Sequence, residues 1–124
     1  MEDIKIIRSI CIKIAEELDP KLIYTESNYQ TLLVKRLRDA GFQVAEEVEV
    51  LYKMLDGFAT GRGYIDVLVE TASTVFVIEL KANNTKWKKG VTQLQRYLTH
   101  LESNKIVGGD LRCLQMSQFQ TSHC

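Results

Sequence analysis

Apolar residues near the start of the chain fall on one helical face. Ile7, Ile10, Cys11, Ile14 and Leu18 recur every three or four positions and predict a helix from Ile4 to Leu18. Asp19-Pro20 ends it, because the residue before a proline is pushed out of helical geometry. Tyr29, Leu32, Leu33, Leu37 and Ala40 form a second stripe and predict a helix from about Thr25 to Ala40. Thr25 is its expected N-cap, Asn28 takes the place of a capping-box acid, and Gly41 is the stop. The period then changes from helical to alternating. Phe42, Val44, Val48 and Val50 share a face with Glu46, and Gln43, Glu47 and Glu49 share the other, which predicts a first strand with one solvated face. Asp56-Gly57 and Gly61-Arg62-Gly63 predict a hairpin-like connection with a mobile tip.

Two apolar runs follow, Ile65-Asp66-Val67-Leu68-Val69 and Val75-Phe76-Val77-Ile78-Glu79-Leu80-Lys81, separated by a turn at Thr71-Ala72-Ser73. Their Val, Ile and Phe content suits adjacent strands, and runs this apolar suit strands buried on both faces. From about Thr85 to Leu101 the stripe Trp87, Val91, Leu94, Leu98 and Leu101 predicts a third helix, with Gln93, Tyr97 and His100 in a parallel row. A last strand is expected around Lys105 to Val107, parallel to a neighbour after the crossover helix. The expected fold is α/β, a mixed central sheet flanked by helices in the order α-α-β-β-β-α-(β), with the last strand incomplete.

At 124 residues the chain suffices for one core and not for two. Sixteen basic and sixteen acidic residues cancel, so net charge argues for no nucleic-acid partner and only local clusters could. No apolar run approaches the ~20 residues of a membrane helix, and the charged N-terminus is no secretory signal. An intracellular location, cytoplasm or nucleus, is expected. Cys11, Cys113 and Cys124 make no disulfide framework, and His100 and His123 have no zinc-ligand spacing. There is no Gly-rich phosphate loop and no internal repeat.

The charges inside the apolar runs carry the candidate chemistry. Glu79 and Lys81 share a strand face, and Asp66 lies one strand earlier. One reading is a structural ion pair at a sheet end. The other is a metal site, in which two carboxylates hold Mg2+ and the lysine orients water or offsets phosphate charge. Glu26, in the first turn of the second helix, suits the positive helix end and also lies at the edge of the core-facing stripe. Lys81, Lys86, Lys88, Lys89 and Arg96 occur in a stretch with no acid, which fits a solvated face or a phosphate backbone.

Asp66, twelve residues and then Glu79-Leu80-Lys81 resemble the PD-(D/E)XK nuclease signature. Glu26 ahead of it and Gln93 with Tyr97 behind it complete the set usual for that superfamily. The chain is most similar to the GxxExxY branch, through Tyr24-Thr25-Glu26-Ser27-Asn28-Tyr29-Gln30, Ile65 to Glu70, Val77 to Ala82 and Gln93 to Leu98. Ile23 stands where that branch has its first glycine.

The resemblance implies a restriction-endonuclease-like core over residues 1–107, with 108–124 an atypical tail. It implies a Mg2+-dependent nuclease acting on DNA, with Mn2+ as a substitute and RNA open. The alternative is a catalytically silent nucleic-acid- or protein-binding module. By resemblance the catalytic set is Glu26, Asp66, Glu79, Lys81 and Gln93. The metal ligands are Asp66, Glu79 and the main-chain carbonyl of Leu80. Lys86, Lys88, Lys89 and Arg96 would guide nucleic acid, Tyr97 would support the site, and a double-strand cut would require a homodimer.

Overall fold

Local signals place the helices close to where their stripes predict them. The computed structural model describes residues 2–18, 25–81 and 86–113. Helix α1 spans Glu2–Glu17, α2 Glu26–Asp39 and α3 Trp87–His100. The start of α2 is set by a reciprocal capping box: the Asn28 amide donates to Thr25 Oγ1 at 3.0 Å and the Thr25 amide to Asn28 Oδ1 at 3.1 Å. Ile23, the remainder of 19–24 and the residues after Cys113, with His123 and Cys124, lie outside the described residues. Among the described residues no helix is long and apolar enough to cross a membrane.

Four strands form one mixed sheet in the order β1-β2-β3-β4. They are β1 Gln43–Lys53, β2 Ala59–Glu70, β3 Thr74–Lys81 and β4 Ile106–Cys113. The first two neighbour pairs are antiparallel, and β4 runs parallel to β3 after the α3 crossover. The expected α/β class and element order hold. Gly61-Arg62-Gly63 is not part of the turn but lies inside β2, because the chain reverses earlier, at Met54 to Phe58.

Each face of the sheet carries its own core. Ile7, Cys11 and Ile14 of α1, with Tyr29, Leu33, Val34 and Leu37 of α2, cover Val67, Val69, Phe76, Ile78 and Leu80. Leu94 and Tyr97 of α3 cover Val50, Ile65, Val77 and Leu111. This division corrects the simple alternation read from β1. Val44 packs into the first core, whereas Val48 and Val50 pack into the second. In β2, Ile65 and Val67 likewise go to opposite cores. Equal parity would put all of these side chains on one side of a regular strand. Glu47, with φ of 51°, provides the break in β1, and the register places it opposite Asp66. A left-handed residue inside a strand rotates the chain after it, so the hairpin changes sides at this rung.

The break expected after Val107 is absent from the strand. Gly108-Gly109-Asp110 continues β4, which pairs with β3 from Thr74↔Ile106 to Lys81↔Cys113. An ideal Cβ on Gly109 would stand 2.8 Å from the Val77 main-chain oxygen and 2.9 Å from a Leu94 methyl. Glycine there lets α3 settle onto β3 and β4. Gly109→Val should cost about 1–3 kcal/mol through overpacking, read as a lower urea midpoint at unchanged m-value. An unchanged midpoint would mean that α3 rides higher off the sheet.

Candidate active site

The β2–β3 ladder ends at Val67↔Ile78. Beyond it β2 stays with β1, and β3 stays with β4. The two strands therefore fork, and amides that would have paired across the gap need other acceptors. Asp66 supplies one: its Oδ2 accepts from the Leu80 amide at 2.8 Å. The aspartate is thus anchored where the fork opens, with Glu79 across from it.

Glu79 is only 3% exposed, and its Oε1 is buried without a hydrogen-bond partner among the described residues. Its Oε2 lies 3.4 Å from Lys81 Nζ, longer than a good charge-assisted hydrogen bond. Burial pushes the Glu79 carboxyl up to about 8, and the Asp66 charge and a hydrogen bond with Asp66 push the same way against Lys81. Two carboxylates and one loosely placed ammonium leave the fork short of positive charge. Lys81 reaches it beneath the first turn of α3, where a Cβ on Gly90 would lie 3.3 Å from Lys81 Cε.

Two polar side chains of α3, Gln93 and Tyr97, turn inward. Gln93 Oε1 is buried without a partner among the described residues. Tyr97, one turn later, is buried, and its hydroxyl is pushed well above the usual tyrosine range by burial, then by the charge of Glu79, by Tyr52 and by Asp66. Glu26 approaches from the other side. It is exposed, and it lines a cavity of about 320 Å³ with Gln30, Glu46, Glu47 and Asp66. Gln30 Nε2 donates to Glu46 Oε1 at 3.2 Å and to Glu47 Oε1 at 3.4 Å. Glu46 and Glu47 were not among the sequence candidates. Alternation assigned them to opposite strand faces, and only the turn in the backbone at Glu47 brings both to this cavity.

The basic candidates divide into two groups. Lys86 occupies the N-cap of α3, and Lys88 and Lys89 are exposed in its first turn. Arg96 is about 12 Å further along the helix axis, with its guanidinium 5.3 Å from the centre of the Tyr52 ring.

No group of three or more His, Cys, Asp or Glu side chains among the described residues is arranged to hold a metal ion. The donors present nevertheless suit a hard divalent cation. The Glu79 oxygen without a partner and the Asp66 carboxylate are oxygen ligands in a charge-deficient fork, and main-chain oxygen lies on the same strand. A comparison with family models matches residues 2–107 to the PD-(D/E)XK nuclease superfamily. No curated protein matches the chain.

Proposed function

Since the chain belongs to the PD-(D/E)XK nuclease superfamily, we propose that it is a metal-dependent nuclease that hydrolyses phosphodiester bonds in DNA at the Asp66–Glu79–Lys81 fork. The observation that carries this reading is the buried Glu79 oxygen left without a partner beside a second carboxylate. A retired site would be expected to lose such a group, because an uncompensated buried carboxylate is costly.

Asp66 and Glu79, with the main-chain carbonyl of Leu80, would hold Mg2+, or Mn2+ in its place. When bound, the cation polarises the scissile phosphate and acidifies water. The protein's own groups do the rest. Anchoring by the Leu80 amide keeps Asp66 from turning away from the fork. Lys81 holds the attacking water or offsets charge that builds on the phosphate. Gln93 orients a ligand through its free carbonyl oxygen, and Tyr97 walls the fork from bulk water. Glu26 faces the same site across the acidic cavity, while Lys86, Lys88 and Lys89 meet the phosphate backbone. One such site cuts one strand, so a double-strand break would need two copies of the chain.

The test is cleavage of plasmid, linear, branched and single-stranded DNA with Mg2+ or Mn2+, against chelator. Glu79→Ala and Lys81→Ala should each lower the rate by at least about a hundredfold with the fold intact. Equal cutting by wild type and variants, or none by wild type, refutes the assignment. DNA binding without cleavage would instead favour the silent binding module.

A further inference from the structure

Past Asp66 the β1–β2 pair runs on as a two-stranded ribbon with no partner from β3. Its end carries the most exposed large apolar side chains among the described residues. Met54 is 59% exposed, Phe58 70%, and Leu55 fully so at 109%. They are held in place: the Met54 amide donates to the Phe58 carbonyl at 2.8 Å, and the Phe58 amide to Asp56 Oδ1 at 2.9 Å. The ribbon is also braced. The Lys53 amide donates to His100 Nδ1 at 3.3 Å, and Tyr52 lies against the His100 ring with centroids 5.3 Å apart.

Along the stem runs a groove of about 500 Å³, lined by Tyr52, Lys53, Thr60, Arg62, Arg96 and His100. Among the described residues no acidic side chain lines it. Arg62 and Lys53 do pair with Glu49 and Glu102, but these pairs are exposed and weak enough to exchange for phosphate. The groove also runs toward Tyr97, because Tyr52 and Tyr97 both close over Gly63, where an ideal Cβ would meet the Tyr52 hydroxyl and stand 2.6 Å from Tyr97 Cε1.

We propose that the β1–β2 ribbon is a substrate arm, its basic groove carrying the phosphate backbone and its apolar tip stacking on unpaired bases, so that the preferred substrate is DNA with a fork or frayed junction beside the cut. The proposal rests on the nuclease reading for the position of the cut. A polyanion fits the groove by charge. An intact duplex hides its base faces, so a tip of Met, Leu and Phe finds apolar partners only where bases are unstacked. The tip alone is too small for the interface that a stable protein complex needs. From Asp66 to Ala59 the strand covers about 23 Å. That corresponds to about seven nucleotides of duplex rise, which sets the expected distance from junction to cut.

The test uses the full chain, first in EDTA, with fluorescently labelled forked and blunt duplexes of equal length. Anisotropy should show the fork bound about tenfold more tightly than the blunt duplex. The double variant Leu55→Ser with Phe58→Ser should lose this preference while its thermal midpoint stays unchanged. Arg62→Gln and Arg96→Gln should weaken both complexes alike and flatten their salt dependence. Equal wild-type affinity for fork and blunt DNA overturns the proposal. So does a tip variant that keeps the preference, or one that changes only self-association in sedimentation. With Mg2+ added, fork preference without any cleavage overturns the nuclease reading and leaves the arm standing. Cleavage at equal rates on both substrates does the reverse.

Discussion

Glu79→Gln should make the protein more stable and inactive. Glutamine keeps the shape of the side chain and removes the charge that the fork cannot solvate. The neutral form is already the one that burial and Asp66 favour, which is why the carboxyl is pushed up to about 8. Lys81 loses its partner at 3.4 Å, and this trims the benefit. A gain of about 1–3 kcal/mol is expected at pH 7.5 without metal, or roughly 5 °C in thermal midpoint. Cleavage should vanish, because the amide cannot serve as an anionic ligand. The sign with pH is definite. A carboxyl raised in the folded state binds its proton more tightly there than in the unfolded chain. Stability from this group is therefore full below about pH 4.5 and is lost as pH rises through about 8. The variant should lack that decline. In wild type, Mg2+ should remove most of it, since a bound cation restores the charged form. If Glu79→Gln is destabilised and Mg2+ leaves the pH dependence unchanged, the fork is an ordinary ion-pair site.

Asp110→Ala should come close to unfolding the domain. Asp110 sits at the middle of a buried charge cluster on β4, where the Arg8 guanidinium makes two bonds to it, at 2.9 and 3.0 Å. Arg112 adds a third at 3.0 Å, and Asp110 and Arg112 are both almost fully buried. Arg112 Nε already has no acceptor among the described residues. Without the aspartate, Arg8 can turn to water, but Arg112 stays buried with no other carboxylate paired to it among the described residues. A loss of about 3–5 kcal/mol is expected, a large part of the ~5–15 kcal/mol typical of a domain. Asp110→Asn keeps an acceptor and should cost less. The double change Asp110→Leu with Arg112→Met should recover most of the loss, because desolvation and attraction nearly cancel in such pairs. Urea unfolding reads all three. A cost under about 1 kcal/mol for Asp110→Ala would show that water reaches Arg112.

Much of the site was legible because it obeys local rules. Glu79 and Lys81 share a face by strand parity, and Gln93 and Tyr97 share a helical row. The structure holds Asp66 on the Leu80 amide, sets Lys81 3.4 Å from Glu79 and buries Tyr97. Glu46 and Glu47 escaped, since parity separates them and nothing in the residue types announces a left-handed Glu47. Arg62 read as part of a turn because two glycines flank it, yet it lies on the arm. The strand through Gly108-Gly109-Asp110 was hidden for a related reason. Glycines and charges in a row have the composition of a loop, and only contact with α3 and Arg8 makes them a strand.

The sequence by itself determined the three helices, the order of the elements and the pairing of carboxylates with a lysine. Each follows from spacing within a few residues, where backbone geometry leaves little choice. The tertiary structure decided what those groups face. The side change at the Glu47–Asp66 rung, the fork after Val67↔Ile78, the buried Asp110–Arg112 pair and the projecting arm all depend on which strand lies beside which. Strand pairing is long-range, and an orphaned amide or a buried charge acquires its consequence only when a partner strand arrives or fails to arrive.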